Sequence, residues 1–279
     1  MTATEQNFSL LLPIYSGDKP SFLERAFRSC VDDQTLPPTE VVMVQDGPVS
    51  AELAAMMQQL IVASAVPTRL LVLEHNRGLA RALEAGLAQC SFDVVARMDA
   101  DDVSLPTRFE KQRVAIAGGL DLVGTAMFEF AEDDGSVIGK RIPPQGQEAI
   151  ARYSRFHDPF NHPTVMYRRS AVKAAGGYID VGLMEDYWLF ARMIDSGARV
   201  ENLQEALLMY RVSAGAYTRR GGLGQLTAEL RLQKEFRKLG FTTPLQNVRN
   251  VIVRGGYRLV PVAIRRIAYR RFIARGFHS

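Results

Sequence analysis

The first hundred residues alternate between short apolar runs and segments with helical periodicity. The apolar runs are FSLLLPIY, EVVMVQDG, RLLVLEH and DVVARMD, and the segments between them include PSFLERAFRSCVDDQ, residues 50–64 and RGLARALEAGLAQC. Runs that are apolar along their whole length are typical of strands buried on both faces, and such strands alternating with helices form parallel sheets. The sequence therefore predicts an α/β fold with a mostly parallel central sheet flanked by helices.

Three of these predicted strands end in candidate ligand-binding residues. Pro13 and Tyr15 end the first, Asp46 ends the second, and the segment MDADD ends the fourth. Ligands of open α/β sheets bind beyond the carboxyl ends of the strands. We therefore expect these residues to converge on one crevice although they are far apart in the sequence.

Three acids occur within four residues, at Asp99, Asp101 and Asp102. A D-x-D pair at a strand end can present two carboxylates to a hard cation such as Mg²⁺ or Mn²⁺. Alternatively, Asp102 or Ser104 caps a helix that begins near Leu105. The residues alone leave both interpretations open.

The composition is that of a globular protein, with 47% hydrophobic and 23% charged residues among 279. There is no run of about 18 apolar residues and no basic N-terminal region followed by a long apolar one, so neither a membrane span nor a signal peptide is expected. Cys30 and Cys90 lie far apart in helical stretches and are expected to be buried, reduced thiols. These features favour a cytoplasmic protein.

The charge is unevenly distributed. Ten basic and no acidic residues follow Glu235, so within the total of +4 residues 1–235 carry −6. Residues 257–275 are expected to form a helix with an apolar face on Val260, Ile264, Ile267, Ala268 and Phe272. Such a helix suits an anionic membrane surface, but it could equally pack on the protein with its arginines in solvent. Nucleic-acid binding is not expected, because the rest of the chain is acidic.

Seven segments occur in the order seen in family 2 glycosyltransferases of the GT-A fold. They are LLLPIY, VVMVQDG, NRGLARALEAGL, ARMDADDVSLPTRFEKQ, NHPTVMYRRSAV, GGYID with LMEDYWLFARM, and LLMYRVS. The chain most resembles the bacterial members that build exopolysaccharides and other surface glycans, over roughly residues 7–215. The resemblance implies a GT-A domain, placed over residues 1–220, and the basic helical pattern of the remaining residues predicts a C-terminal extension over residues 221–279.

The resemblance also implies roles for individual residues. Asp46 resembles the acid that hydrogen-bonds the nucleobase, Asp101 the direct metal ligand, Asp99 an acid near the ribose and metal, and Asp186 the catalytic base. Glu185 and Trp188 are expected on the acceptor side, although Trp188 suits the core equally well. His162 is expected to have a structural role or to lie on the acceptor side, rather than to act as a base. The full set of expected donor-binding residues is Pro13, Tyr15, Asp46, Asn76, Gly78, Arg81 and Asp99.

The expected reaction is inverting, metal-dependent transfer of a sugar from a nucleoside diphosphate donor, with UDP-sugars favoured, to a glycan or lipid-linked acceptor. One base and no covalent nucleophile indicate a single in-line displacement. The alternatives are a sugar nucleotidyltransferase, or an inactive membrane- or nucleic-acid-binding protein on this scaffold. An enzyme of the expected kind would be cytoplasmic or peripheral at the inner face of the plasma membrane.

Two departures from the family pattern affect these expectations. Glu84 stands where many relatives have Asn, which leaves donor contacts by that helix open. Many relatives also have His two residues after the arginine of the YR pair, whereas Ser213 occupies that position after Arg211. The third ligand of the metal is therefore left open.

Overall fold

The computed structural model describes residues 7–132, 135–213 and 222–259. Its first hundred residues form the predicted alternation of strands and helices. The elements are β1 (Ser9–Tyr15), α1 (Pro20–Val31), β2 (Glu40–Asp46), α2 (Ala51–Ala63), β3 (Thr68–Leu73), α3 (Leu79–Gln89) and β4 (Val94–Arg97).

These four strands pair in parallel, with β1 between β2 and β4, and β3 outside β2. Tyr15 lies opposite Asp46 in the register, so β1 and β2 end at the same edge of the sheet. Helix α3 packs closely on the face of the sheet at Gly86, where a Cβ atom would lie 2.4 Å from Leu11 and 2.6 Å from Val44. A larger side chain at this position would push α3 away from the sheet.

The second half of the chain adds strands of both directions. Its elements are β5 (Val103–Ser104), α4 (Arg108–Ala117), β6 (Leu122–Ala131), β7 (Val137–Arg141), α5 (Gln147–Tyr153), a 3-10 turn (His162–Thr164), β8 (Met166–Arg168), α6 (Arg169–Ala174), α7 (Glu185–Asp195) and β9 (Val200–Val212).

The complete sheet has the order β3-β2-β1-β4-β8-β6-β9-β5, with β7 paired to β6. Strand β8 is antiparallel to both β4 and β6, β9 is parallel to β6 but antiparallel to β5, and β6 and β7 pair antiparallel. The α/β class is confirmed. The sheet was predicted to be mostly parallel; β1 to β4 and the β6–β9 pair are parallel, and over the described residues the sheet is mixed.

Two hydrophobic clusters cover the faces of the sheet. Successive residues of β1 enter opposite clusters, with Leu10 and Leu12 on one side and Leu11 on the other. This is the two-sided burial that the apolar strands predicted. Cys30 and Cys90 are both buried and free, as expected, and burial raises the pKa of their thiols to about 11 and about 12.

The chain continues through α8 (Leu223–Leu239), α9 (Pro244–Asn250), a π-helical turn (Val251–Gly255) and α10 (Gly256–Leu259). Helix α9 begins with a capping box between Thr243 and Gln246. Residues 260–279, which include most of the predicted amphipathic helix, lie outside the described residues. Within the described chain no helix is both long and apolar enough to span a bilayer.

Candidate active site

A cavity of about 440 Å³ opens at the carboxyl ends of β1, β2 and β4. Seven of the residues that the sequence predicted for donor or metal binding line it, namely Pro13, Tyr15, Asp46, Asn76, Gly78, Asp99 and Asp101. The eighth, Arg81, is exposed on α3 and does not line the cavity. The expected convergence of the strand ends therefore occurs.

The buried carboxylate of Asp46 holds the loop that precedes α3. Its two oxygens accept hydrogen bonds from the backbone N–H groups of Arg77 at 2.7 Å and Gly78 at 3.0 Å. Gly47, with a φ of 84°, passes so close to this loop that a Cβ atom would lie 2.5 Å from the backbone nitrogen of Asn76. Asp46 and Gly47 therefore position Asn76 and Gly78 at the cavity wall, which is more than the tight turn that their sequence alone would indicate.

Arg97, at the end of β4, is buried beneath the acids. Its guanidinium forms a bidentate ion pair with Asp99, with Nη1 2.7 Å from Oδ2 and Nη2 bonded to Oδ1. Bidentate arginine–carboxylate pairs fix orientation as well as charge. Asp99 is thus held in one orientation at the floor of the cavity.

The three acids after β4 lie close together, with one carboxylate oxygen of each within 4.8 Å of the others. Burial, and then the charge of Asp99, raises the pKa of Asp101 to about 6; the same causes and the charge of Asp101 raise the pKa of Asp102 well above its usual range. Asp18 lines the same cavity, and burial raises its pKa to about 7. The site therefore holds concentrated negative charge that a cation would stabilise.

These residues fit a hard divalent cation. Carboxylate oxygens are the ligands that Mg²⁺ prefers, and Asp102 Oδ2 is a buried oxygen without a hydrogen-bond partner in the described structure. Its other oxygen accepts from the backbone N–H of Arg211 at 2.8 Å. The alternative helix-cap interpretation is wrong, because α4 begins only at Arg108 and Thr107 occupies its N-cap position.

Arg211 brings positive charge to the same cavity. Its guanidinium lies 3.8 Å from the centre of the Phe22 ring and 4.6 Å from that of Phe130, and its Nε donates to the backbone oxygen of Asp101 at 2.7 Å. The two rings and this hydrogen bond fix the side chain beside the acids. An arginine held in this way can contact an anionic group that enters the cavity.

Asp186 and Glu185 occupy the first turn of α7. Asp186 Oδ1 accepts from the backbone N–H of Tyr187 at 2.7 Å, and burial raises the pKa of the Asp186 carboxyl while the charge of Arg97 opposes this rise. Burial and the charge of Asp186 raise the pKa of Glu185 to about 7. Arg97 therefore lowers the pKa of Asp186 against the effect of burial, in addition to pairing with Asp99.

His162 lies behind Asp186 rather than in open solvent. Its Nδ1 is 3.6 Å from Asp186 Oδ2, and its Nε2 is 3.0 Å from the hydroxyl of Tyr178. Burial, and secondarily the charge of Arg97, lowers the pKa of His162 well below its usual range. The ring is therefore a neutral neighbour of Asp186, which fits the structural role more closely than that of a base.

Two other sequence predictions receive a structural context. Trp188 is buried in the cluster between α7 and α8, where it packs on Phe236, so it occupies the core position that was the alternative to an acceptor platform. Glu84 accepts a hydrogen bond from the backbone N–H of Tyr178 at 2.8 Å and does not line the cavity. The departure at Glu84 thus concerns the segment that carries Tyr178.

Sequence reasoning did not single out Asp18 or Arg97, and it considered Arg211 only for the position that follows it. Arg97 had a usable signal, because a charged residue inside the apolar run VVARM has to find a buried partner. Asp18 and Arg211 gave no comparable signal, since their places in the cavity depend on how β1 and β9 lie in the sheet.

The comparisons with known proteins agree with this geometry. The family model described as "Glycosyl transferase family 2" matches residues 9–176. The amylovoran biosynthesis glycosyltransferase AmsE of Erwinia amylovora is 36% identical over 95% of this chain and 98% of its own length. An Escherichia coli UDP-Gal:alpha-D-GlcNAc-diphosphoundecaprenol beta-1,3-galactosyltransferase is 32% identical over 99% of both chains.

Solved structures share the fold at lower identity. S. aureus TarS residues 1–349 in complex with UDP-GlcNAc matches with a TM-score of 0.64 and 17% identity, over 88% of this chain and 70% of that one. The mannosyltransferase PcManGT from Pyrobaculum calidifontis, in complex with GDP-Man and Mn²⁺, matches with a TM-score of 0.63 and 16% identity, over 95% and 75% of the two chains. The expected GT-A type fold is thereby confirmed.

Proposed function

The chain belongs to glycosyl transferase family 2, and we propose that it moves a sugar from a nucleoside diphosphate donor to a lipid-linked or glycan acceptor, with inversion and with a divalent cation. That it is a glycosyltransferase follows from its family and its full-length relatives. We propose the class of donor, the cation, the class of acceptor and the stereochemistry in addition.

The cavity at the ends of β1, β2 and β4 is the proposed donor site. Its volume, its wall of backbone and small side chains around Asn76 and Gly78, and the charge of Arg211 suit a nucleotide with a diphosphate. UDP is the favoured nucleotide, because the E. coli relative is named for UDP-Gal and TarS was solved with UDP-GlcNAc. Asp46 supports this site through the loop that it holds.

Asp101 and Asp102, with Asp99 oriented by Arg97, are the proposed residues that hold Mg²⁺ or Mn²⁺. When bound, such a cation offsets the negative charge that builds up on the departing diphosphate. Arg211 lies on the same side and can interact with the diphosphate directly. The fold neighbour PcManGT was solved with Mn²⁺, which supports the choice of cation class.

Asp186 is the proposed general base. It would accept the proton of the acceptor hydroxyl as that oxygen attacks the anomeric carbon of the donor sugar. Burial keeps its pKa above the ordinary value, and a base with a raised pKa is a better proton acceptor at neutral pH. Because the proposed site uses a general base and no covalent enzyme nucleophile, we favour a single displacement that inverts the anomeric centre.

The acceptor is proposed to be lipid-linked, or a glycan of the cell surface. The E. coli relative is named for a diphosphoundecaprenol acceptor and the Erwinia relative for amylovoran synthesis. An enzyme with such an acceptor would work at the inner face of the plasma membrane. We keep the proposed division into a transferase domain over residues 1–220 and a basic helical extension over residues 221–279.

One observation carries the proposal, namely that Asp99, Asp101 and Arg211 line the same cavity as the strand-end residues expected to bind a nucleotide. The test is to incubate the protein with a panel of sugar nucleotides and Mn²⁺ or EDTA, and to measure nucleoside diphosphate release with and without a diphospholipid acceptor. A rate of nucleoside diphosphate release that is the same with Mn²⁺ and with EDTA, and the same for every sugar nucleotide, would contradict the proposal.

A further inference from the structure

The helical segment over residues 244–258 turns its polar side chains toward the protein. Asn250 is fully buried, and its amide donates to the backbone oxygen of Arg155 at 2.8 Å and to Gln233 Oε1 at 3.2 Å. Asn247 donates to the backbone oxygen of Gln233 at 2.8 Å. These contacts join the segment to α8 and to the loop after α5.

Charged groups complete this inner face. Glu229 of α8 is fully buried and accepts from Arg254 at 2.6 and 3.0 Å and from Arg258 at 3.2 Å. Arg254 also donates to the backbone oxygen of Phe156 at 2.8 Å. Rolling the segment about its axis would leave a buried carboxylate unpaired, so the ion pairs fix which face points outward.

The outward face is apolar. Its side chains, spaced three or four residues apart except for the adjacent pair Ile252 and Val253, form what we call the outer stripe: Leu245, Val248, Ile252, Val253 and Tyr257. Leu245 and Ile252 are 81% and 67% exposed. Arg249 is the charged residue among them on the same exposed face.

This arrangement is the reverse of an ordinary surface helix, which buries its apolar stripe and exposes its polar face. A contiguous exposed apolar stripe of this kind marks a surface that contacts something apolar. The reversal is built in, because the polar inner face is satisfied by hydrogen bonds and ion pairs that a rotated helix would lose.

We propose that the outer stripe docks on an anionic lipid bilayer. Residues 236–279 contain ten basic and no acidic residues. Arg254 and Arg258 are paired with Glu229 on the inner face, but Arg249 is exposed beside the stripe, and the net positive charge of this part of the chain attracts anionic headgroups. Tyr257 at the end of the stripe has the amphipathic ring that favours the membrane interface. The stripe also leads directly into residues 260–279, whose sequence has the same aliphatic and arginine composition.

This inference deepens the proposed function and rests on it for its motive, since an enzyme with a lipid-linked acceptor has to approach the bilayer. The docking surface itself is argued from the helix alone. The experiment therefore measures membrane binding and sugar-nucleotide turnover separately, so that failure of one is distinguishable from failure of the other.

The first measurement is sedimentation of the full-length protein with phosphatidylglycerol vesicles. The double variant Leu245→Gln/Ile252→Gln should bind at least about tenfold more weakly, because each aliphatic side chain taken out of water contributes roughly a tenfold factor. The matched control is Val62→Gln/Val114→Gln, which removes two exposed aliphatic side chains from α2 and α4 and should bind like the wild type. Turnover in detergent-free buffer without vesicles should be equal in all three proteins.

The second measurement places an environment-sensitive fluorophore on the stripe. Cys30 and Cys90 are buried, so the thiol of Ile252→Cys can be labelled selectively, with Val62→Cys as the control. The label at position 252 should shift its emission to the blue on phosphatidylglycerol vesicles but not on phosphatidylcholine vesicles. The label at position 62 should shift on neither.

Several outcomes would overturn the proposal. Vesicle binding that the stripe variant leaves unchanged would assign it to other residues, and absence of binding at low salt would end it. Emission at position 252 that is already blue without vesicles would show that the chain itself covers the stripe. A dimer in sedimentation velocity that the stripe variant dissociates would make a second copy the occupant.

Discussion

Replacing Asp186 with Asn should abolish sugar transfer without unfolding the protein. The amide oxygen can still accept the 2.7 Å hydrogen bond from the backbone N–H of Tyr187, and the side chain has the same size. Loss of a carboxylate at a helix N-terminus costs up to about 1 kcal/mol, whereas relief of the repulsion with Glu185 acts in the opposite direction. We expect a change in unfolding free energy below about 1 kcal/mol.

The effect on rate is much larger. A general base contributes roughly a hundredfold to ten-thousandfold, which corresponds to about 3 to 5 kcal/mol of activation free energy. Binding of UDP should be unchanged, because Asp186 does not line the donor cavity. The assay is transfer to a lipid-linked acceptor at saturating donor, with UDP binding measured separately by calorimetry.

The pH profile provides a second readout. Burial raises the pKa of Asp186, and the base is active only when it is ionised. The transfer rate should therefore be maximal above that pKa and should fall as the pH drops through it. The midpoint should lie above the ordinary pKa of an aspartate. In Asp186→Asn, burial still raises the pKa of Glu185, but the contribution of the Asp186 charge is lost and that pKa should fall.

Glu185→Gln is the matched control, since it removes the neighbouring carboxylate from the same helical turn. It should reduce transfer far less than Asp186→Asn. A ranking in the opposite order would make Glu185 the base, and an Asp186→Asn variant that retains more than about a tenth of the rate would refute general-base catalysis by this residue.

Three further predictions concern the supporting residues. Asp101→Asn should lower the Mn²⁺-dependent part of UDP affinity at least about tenfold by calorimetry, whereas Asp33→Asn on the surface should not; equal loss with and without Mn²⁺ would contradict a ligand role. Glu229→Gln should lower the free energy of unfolding by about 3 kcal/mol in urea melts at neutral pH, because Arg254 and Arg258 lose their buried partner. The control Glu235→Gln breaks an exposed pair with Lys238 and should cost under about 1 kcal/mol. Burial opposes ionisation of Glu229, but the hydrogen bonds from Arg254 and Gln233 and the charges of Arg254 and Arg258 together outweigh it and lower the pKa. This stability is therefore present above the pKa of an unfolded glutamate and is lost as the pH falls through the lower folded pKa; a difference between wild type and variant that grows in acid would be the wrong sign. His162 should titrate well below a free histidine in ¹⁵N-resolved NMR because burial lowers its pKa, and a midpoint at or above that of free histidine would contradict its neutral state beside Asp186.

The sequence was sufficient for the parts of the site that lie at strand ends. Buried parallel strands have a fixed relation to the sheet edge, so Pro13, Tyr15, Asp46 and the acids after β4 could be placed together before any contact was known. The family resemblance added Asp186, which lies on a helix whose place relative to that edge is not set by periodicity. Arg81 was expected at the donor site because it belongs to a matched motif, but its side chain is exposed to solvent.

Only the tertiary structure decided the partners of the buried charges and the outward face of the C-terminal helix. Arg97 meets Asp99, and Glu229 meets Arg254, because separate elements pack at a particular rotation, and a local pattern does not encode that rotation. The sequence determined the elements, the sheet edge and the asymmetry of charge, since these depend on composition and on periods of two and 3.6 residues. Which polar groups face each other depends on packing between distant segments, and here that packing turned an apolar stripe outward where periodicity alone would have buried it.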